Sequence, residues 1–426
     1  MRETLEKVGN FIKRNCTADD FIFRLYHTKS HKTRFAQNAI TQHIEGMNIS
    51  AGLNVAFGNK TGTSSINQID EDSLKHIIKT AEEIAKLNQP DPEFVPSEGK
   101  NDLPDVNNFS ENVASLTTEE MVENIQKCVL NAKSRKAFLS GISQKNEREA
   151  YFITKNGFRG FDRSSTFSHS MTLKKASVET KVFKEFKDYQ NFDLQMEIDQ
   201  LNSQFDSLGK PEKMDAGKYT VILRPNAVEN LFQFLYWMMD RRDADEGVNQ
   251  FTGQLGKKFF GDKFSLKSTI DDIDLILPKF NHDGIPSQNT DWIKKGIIEN
   301  LPASRFYAKQ INIEPCFPFN FVIDGENSTE QEMMQMVDKG LIINNFWYIR
   351  FIDRKKGELT GMTRDGVLYF EDGKIKNTVN NFRWNEVLHE VTHNILALGE
   401  SILKDAYTRV PAMLIKDFNF VDTTSF

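Results

Sequence analysis

The sequence predicts an α+β protein, with an amino-terminal α/β-type layer domain and a mainly antiparallel β carboxy-terminal domain around a buried helix. Many short segments alternate apolar and polar residues between turn residues, as half-buried strands do. A few longer segments carry one apolar stripe at helical spacing. One segment near the middle of the chain is apolar on nearly all sides, so other elements must cover it.

Residues 1–87 are predicted to form a first α+β segment. A helix over about the first 15 residues precedes a series of alternating segments. An amphipathic helix over about Asp70 to Leu87 ends this part of the chain. The alternating segments are Asp20–His27, Thr33–Gln37, Ile40–Glu45, Ile49–Phe57 and Thr63–Ile66.

Residues 88–116 are predicted to be a solvated connector, because four prolines fall there among Asp, Asn, Ser and Gly. Residues 117–211 would complete the amino-terminal domain. Thr117 and Glu120 predict a capping box at the start of a helix whose apolar stripe includes Cys128, a buried thiol. Strand-like segments follow, with a hairpin turn at Asn156-Gly157.

Residues 212–426 are predicted to form the second domain. A strand over Lys218–Leu223 leads through a turn into a helix over Asn226–Asp240, the segment that is apolar nearly all round. The remainder is mainly strand-like. Its predicted turns lie at Asp283-Gly284, Lys356-Gly357, Asp365-Gly366 and Asp372-Gly373.

Composition excludes several classes of protein. No run of residues approaches the length of a membrane span, and no signal-peptide core follows Met1. The three cysteines are odd in number and widely spread, which predicts reduced thiols and a cytoplasmic location. The formal charge of −6 and the scattered basic residues argue against nucleic-acid binding.

The segment His389–His393 matches H-E-x-x-H, in which two histidines one helical turn apart hold zinc and the glutamate, here Glu390, activates water. A helix over Trp384–Leu398 would put its apolar residues on one stripe and both histidines on the opposite, solvated side. Position 399 is a glycine, so no third ligand follows at a metzincin-like spacing. The pattern favours a solvated helix face, and a zinc site with His389 and His393 remains an alternative.

Other polar and aromatic residues are candidates for a peptide groove. Asn344, Trp347, Tyr348 and Arg350 fall along one predicted strand, where ordinary sheet packing is the competing interpretation. Thr363 and Arg364 precede the Asp365-Gly366 turn, and Arg364 could bind a substrate carboxylate. The remaining histidines show no ligand spacing: His27, His31, His43 and His76.

Short sequence blocks occur in a recognisable order along essentially the whole chain. They are Gly62–Ser65, Ala81–Lys86, Asn156–Gly160, Gly217–Pro225, Asp283–Pro286, Asp338–Leu341, Gly357–Gly366 and Glu371–Ile375. In these blocks the chain resembles the TldD/PmbA family, described both as modulators of DNA gyrase and as Tld-type metallopeptidases.

The resemblance implies that this chain lacks the metal set of the active members. Active TldD-type chains carry H-E-x-x-x-H on the helix after the Gly-Lys-Tyr strand, plus a cysteine ligand shortly before the final strands. Here Gln233 and Met238 take the places of the histidines, Phe234 takes that of the glutamate, and no cysteine follows Cys316. An amide and a thioether are poor zinc ligands, and phenylalanine cannot act as a base. The chain therefore resembles the PmbA-like (TldE-like) members.

Two functional hypotheses follow from the resemblance. In the first, this chain is the metal-free partner of a TldD-type zinc peptidase, or a homodimer, and helps to hold an extended peptide by strand addition. No cofactor is then expected on this chain, and zinc is expected only in the partner. In the second, the chain is itself a zinc peptidase that uses His389, Glu390 and His393. A weaker alternative is a modulator of DNA gyrase or a peptide-binding protein without hydrolytic activity.

Overall fold

The computed structural model describes residues 2–424, which form three β-sheets with helices packed against them. The helices are α1 Arg2–Asn15, α2 Glu71–Leu87, α3 Glu111–Ser115, α4 Thr118–Ser134, α5 Leu194–Ser207, α6 Pro225–Phe232, α7 Phe234–Met238, α8 Arg241–Asp245, α9 Arg305–Gln310, α10 Glu330–Gln335 and α11 Leu388–His393. The strands are β1 Asp20–Ala36, β2 Ala39–Phe57, β3 Lys60–Ile66, β4 Phe138–Thr154, β5 Arg159–Lys175, β6 Val178–Phe186, β7 Gly217–Leu223, β8 Leu266–Ser268, β9 Thr290–Lys294, β10 Ile297–Ile298, β11 Phe321–Ile323, β12 Lys339–Asp353, β13 Glu358–Glu371, β14 Lys374–Val379, β15 Asn381–Val387, β16 Ile395–Leu398, β17 Ile402–Asp405, β18 Thr408–Val410 and β19 Met413–Thr424. The α+β class that the sequence predicts is confirmed.

The first sheet is antiparallel throughout and has the order β3-β2-β1-β4-β5-β6. Helices α1 and α2 pack against one end of it, in a core that includes Tyr151 of β4. Helices α4 and α5 pack against the other end, in a core that includes Leu139 of the same strand. These two residues lie an even number of positions apart, so all four helices cover one face of the sheet. A sheet with helices on one face is the layered arrangement that the sequence predicts for the amino-terminal domain.

The opposite face of the first sheet contacts the carboxy-terminal part of the chain. The rings of Phe152 and Phe158 pack edge to face at 5.3 Å, and Phe280 lies within 5.8 Å of both. Asn108 is buried and makes two 2.7 Å hydrogen bonds with the backbone of Leu277, one as donor and one as acceptor. The segment 88–116 is therefore partly buried, whereas the sequence predicted a solvated connector. Asn108 is buried there because its side chain satisfies the backbone polar groups of Leu277.

The third sheet, with the order β12-β7-β19-β15-β13-β14, closes on itself. Strand β12 pairs with β7 on one side and with β13 on the other, so five strands form a ring. A smaller second sheet, with the order β10-β9-β8-β11-β18-β17, lies beside it. The largest core of the described residues joins these two sheets to α6 and α7. The expectation of a mainly antiparallel β domain around a buried helix is therefore confirmed.

Three local predictions are wrong. The apolar helix predicted over Asn226–Asp240 is divided at Gln233 into α6 and α7, and Trp237 on it is 64% exposed. The helix predicted over Trp384–Leu398 is only α11, because strand pairing of β15 and β16 with β19 takes the flanking residues. Asp365-Gly366 is not a hairpin turn but lies inside β13. The capping box at Thr117 and the burial of Cys128 are confirmed.

No helix among residues 2–424 is both long enough and apolar enough to cross a bilayer.

Helix α5 carries a buried acid into the core against the first sheet. Glu197 is 4% exposed, and neither of its carboxylate oxygens has a hydrogen-bond partner. Burial raises the pKa of Glu197 to about 8, and attraction to the partly buried ammonium of Lys184 offsets only part of this shift. The folded state therefore binds a proton that the unfolded chain releases near its ordinary pKa of about 4.3.

We predict that Glu197→Gln makes the protein less sensitive to alkaline pH. Because the folded pKa is raised, the free energy of unfolding of the parent protein should fall as pH rises from about 4.3 towards 8. The variant cannot ionise there and should lose that slope, with a gain on the order of 1–3 kcal/mol at pH 8 relative to pH 5. Urea unfolding at the two pH values measures the difference. Equal slopes for the parent and the variant would show that Glu197 is ionised in the folded protein.

Candidate functional site

The helix pair α6–α7 begins where β7 leaves the closed sheet. Pro225 occupies the first turn of α6, where its missing N–H is not needed. The Arg224 guanidinium donates two 2.7 Å hydrogen bonds to the Glu330 carboxylate and one of 2.6 Å to Asn344 Oδ1. A bidentate pair is the stronger kind of ion pair in proteins, so Arg224 ties the start of α6 to α10 through Glu330 and to β12 through Asn344.

The three residues that the sequence comparison predicted at metal-motif positions lie along this helix pair. Gln233 is half-buried at the junction of α6 and α7, whereas Phe234 and Met238 are buried. The Phe234 ring lies 4.8 Å from that of Trp237 and 5.4 Å from that of Phe351, both edge to face. The place predicted for a catalytic glutamate is thus filled by an aromatic cluster, which offers no base and no charge.

The H-E-x-x-H histidines are held by packing and hydrogen bonds. The His389 ring stacks on Phe259 at 4.2 Å, and its Nδ1 lies 3.2 Å from Gln250 Oε1. Burial lowers the pKa of His389, which favours the neutral ring. His393 is exposed and uses Nε2 as a donor to the Phe259 carbonyl at 3.1 Å. Glu390 is also exposed.

Gln250 links α7 to α11, and no pattern in the sequence predicts this contact. Its Oε1 accepts from His389 while its Nε2 lies 3.5 Å from Met238 Sδ. Gly357 at φ +71° leaves room for this amide, since a Cβ there would lie 2.1 Å from Gln250 Oε1. His389 therefore lies near Met238, one of the positions predicted for the metal motif. The groups between the two helices are the amide of Gln250 and the thioether of Met238.

The residues around both motifs fit a zinc ion poorly. Among residues 2–424, neither His389 nor His393 belongs to a group of three His, Cys, Asp or Glu ligand atoms that lie within 4.8 Å of one another. The Nε2 atom of His393 and the Nδ1 atom of His389 are directed at protein acceptors rather than at a common point. Zinc sites in hydrolases need three converging protein ligands.

A β-bulge in β13 shapes the neighbouring surface. Asp365 and Gly366, both at positive φ, together face Asn344 of β12. Asn344 is buried, accepts from Arg224 and donates to the Asp365 carbonyl at 2.8 Å. Burial raises the pKa of Asp365, whose carboxylate accepts a hydrogen bond from Asn345. Asn344 was predicted as a groove residue, but its side chain is buried and hydrogen-bonds to Arg224 and to the backbone of Asp365.

A cavity of about 570 Å³ lies between this bulge and the hairpin that joins β5 to β6. Trp347, Thr363 and Arg364 line it from the closed sheet. The Arg364 guanidinium stacks over the Trp347 ring at 4.4 Å. Lys174, Glu179 and Leu208 are among the residues that line it from the amino-terminal part of the chain. The cavity is large enough for a few peptide residues and presents both an apolar ring and a cation.

The structure separates the predicted groove residues into three kinds. Trp347 and Arg364 are exposed and line the cavity, whereas Thr363 is buried and donates to Asn381 at 3.0 Å. Tyr348 and Arg350 are exposed and stack on each other at 4.4 Å, and neither lines the cavity. A second bulge at Tyr348, with φ +54°, turns this pair out of register with Trp347.

Two models of one protein family match parts of this chain. Residues 216–422 match the model for the PmbA/TldA metallopeptidase C-terminal domain, and residues 23–85 match the model for PmbA/TldA metallopeptidase domain 1. No curated protein matches the sequence.

Three solved structures are similar to the whole chain. TldE from Thermococcus kodakarensis has a TM-score of 0.87 at 14% identity and covers 99% of each chain. A proposed modulator of DNA gyrase from Thermotoga maritima has a TM-score of 0.86 at 14% identity, over 99% of this chain and 100% of that chain. Another from Bacteroides thetaiotaomicron has a TM-score of 0.86 at 15% identity, over 99% of this chain and 98% of that chain. At this identity, the likeness concerns the fold.

We predict that Gly366→Ala destabilises the bulge that shapes the cavity. Gly366 has φ +93°, and a Cβ there would lie 2.4 Å from Leu208 Cδ2. The strained backbone and the collision should together lower the free energy of unfolding by about 2–4 kcal/mol. Gly58→Ala is the control, because Gly58 has φ +58° and open space around it. Denaturant unfolding that shows equal losses for both variants would remove the contact with Leu208 from the explanation.

Proposed function

Because this chain belongs to the PmbA/TldD metallopeptidase family, we propose that it is the metal-free partner subunit of a TldD-type zinc peptidase that degrades small or unfolded peptides. The observation that carries the proposal is the burial of Phe234 between Trp237 and Phe351, at the position where the active members have their glutamate. A buried aromatic cluster cannot activate water. Zinc and hydrolysis would belong to the TldD-type chain.

The contribution of this subunit would be to hold the peptide. The cavity beside the β13 bulge combines an exposed aromatic ring, a guanidinium and strand backbone, which suit an extended peptide and its carboxylate. The similarity to a solved TldE is consistent with this division of labour. A role as a modulator of DNA gyrase, as named for two of the similar structures, has no support in the acidic balance of the chain.

The proposal is tested by separating the two chains. We expect this chain alone to leave a fluorogenic unfolded peptide intact, and a mixture with a TldD-type chain from the same genome to cleave it. Glu390→Gln in this chain should change the rate of the mixture by less than about twofold, because Glu390 is exposed and lies outside the aromatic cluster. A general base contributes about 100-fold or more, so the two outcomes are well separated.

Two results would contradict the proposal. Peptide cleavage by this chain alone that disappears in Glu390→Gln would establish the H-E-x-x-H segment as a peptidase centre. Failure of this chain to form a stable complex with the TldD-type chain, seen by sedimentation as a homodimer or a monomer, would remove the partner role. Glu390→Gln is preferred to substitution of His389, because His389 packs on Phe259 and its loss would also affect stability.

We predict that Trp347→Ala raises the KM of the two-chain peptidase. An exposed aromatic that contacts the substrate contributes about 1–2 kcal/mol, which corresponds to roughly a 5- to 30-fold change. Tyr348→Ala is the matched control, because Tyr348 is exposed on the same strand but does not line the cavity. Equal KM values for the parent and Trp347→Ala would place the peptide elsewhere.

A further inference from the structure

The hairpin formed by β1 and β2 brings together histidines that are separated in the sequence. The turn residues Gln37 and Asn38 both have positive φ, at 51° and 62°, as a tight two-residue turn requires. The resulting register places His31 directly opposite Glu45, and Thr33 directly opposite His43. Side chains directly opposite each other on one face are within contact distance. Four polar side chains therefore form a compact group on the hairpin.

The ligand atoms of this group converge. His31 Nδ1 and His43 Nε2 each lie 3.2 Å from Glu45 Oε1. The three atoms all lie within 4.8 Å of one another, and no other group of this kind occurs among residues 2–424. Ligands of a tetrahedral zinc ion with bonds of about 2.0–2.1 Å are roughly 3.3 Å apart. Two of the three separations already have that value.

Thr33 orients one of the two imidazoles. Its hydroxyl lies 2.8 Å from His43 Nδ1, and Thr33 itself is fully buried. With Nδ1 protonated and donating to this hydroxyl, the Nε2 lone pair of His43 faces Glu45. Histidines that bind metals are commonly held in this way by a hydrogen bond at the other ring nitrogen.

The other imidazole, that of His31, has a ring nitrogen that the hairpin satisfies poorly. Its Nδ1 atom is shielded from solvent, and its 3.2 Å contact with Glu45 Oε1 does not have the geometry of a hydrogen bond. A shielded nitrogen without a partner is destabilising, and such atoms in proteins call for an explanation. A metal ion between the three side chains would satisfy it.

The surroundings leave room for a cation to enter. The side chains of His31, His43 and Glu45 are 26%, 27% and 59% exposed. The nearby cation Lys145, opposite His31 on β4, directs its ammonium to the carbonyls of Ala114 and Leu116. The hydroxyl of Thr118, at the start of α4, reaches Glu45 Oε1 at 3.4 Å. The group is thus partly screened by protein on one side and open on the other.

We propose that His31, His43 and Glu45 form a binding site for one divalent transition-metal ion, with Zn²⁺ the best match. Two imidazoles and one carboxylate suit zinc, whereas Mg²⁺ and Ca²⁺ prefer oxygen ligands alone. Three protein ligands leave the fourth position to water. This site lies on the amino-terminal sheet and is independent of the peptidase motif and of the proposed function.

The ion would act as a cross-link within the hairpin. Strand β3 pairs with β2 only from Ala51 onward, so residues 39–50 of β2 have β1 as their one partner strand among the described residues. These residues of β2 are mostly exposed and form an edge of the sheet, since β1 pairs with β4 on its other side. A metal bound to both strands stabilises the folded form by mass action.

The experiment is a zinc titration of the full chain after treatment with a chelator, read by calorimetry and by the thermal midpoint. The parent should bind one Zn²⁺ with a rise in Tm, and Mg²⁺ should give no such effect. His31→Ala, His43→Ala and Glu45→Gln should each weaken binding by about 100-fold or more, and Thr33→Val by about 10- to 100-fold. His76→Ala is the control, because His76 is an exposed histidine on α2.

The outcomes separate this site from the peptidase motif. No saturable zinc binding by the parent overturns the proposal, as does binding that is unchanged in His31→Ala and His43→Ala. Zinc binding that is lost in a His389→Ala, His393→Ala variant and kept in the hairpin variants overturns it as well, and would also count against the proposed function. Comparison of the Tm values without metal shows whether each variant folds like the parent.

Discussion

The pairing of β12 with β13 is the constraint on which the carboxy-terminal structure depends. It closes five strands into a ring, and α6 and α7 share one hydrophobic core with that ring. Asn344 lies at the centre of this pairing, where it links Arg224 at the start of α6 to the bulge at Asp365. The hydrogen bonds of Asn344 therefore influence both the position of α6 and the shape of the cavity beside the bulge.

The chemistry of the region follows from that closure. In this shared core, Phe234 and Met238 are buried among apolar neighbours, and the amide of Gln250 links α7 to α11. Neutral groups that are packed or hydrogen-bonded in such an environment stabilise the core. Outside the ring, Trp347 and Arg364 remain exposed on the cavity wall. The architecture thus combines apolar and neutral side chains in the core with an aromatic ring and a guanidinium on the cavity wall.

The amino-terminal hairpin shows a different use of strand pairing. The register of β1 and β2 aligns two histidines and a glutamate that lie up to fourteen positions apart in the chain. Buried Thr33 holds one imidazole in place, and the other has a shielded nitrogen 3.2 Å from Glu45 Oε1. Polar groups at the edge of a sheet can therefore converge as closely as those of an enclosed site, because direct cross-strand neighbours are in contact.

The sequence by itself determined the α+β class, the capping box at Thr117 and the buried thiol of Cys128, since these depend on local pattern and residue chemistry. The tertiary structure decided the limits of α11, because β15 and β16 pair with a strand distant in the sequence. It also made Asp365-Gly366 a bulge rather than a turn, brought Gln250 to His389, and joined His31 to His43 and Glu45. Strand register depends on long-range pairing, which periodicity along one chain segment does not specify.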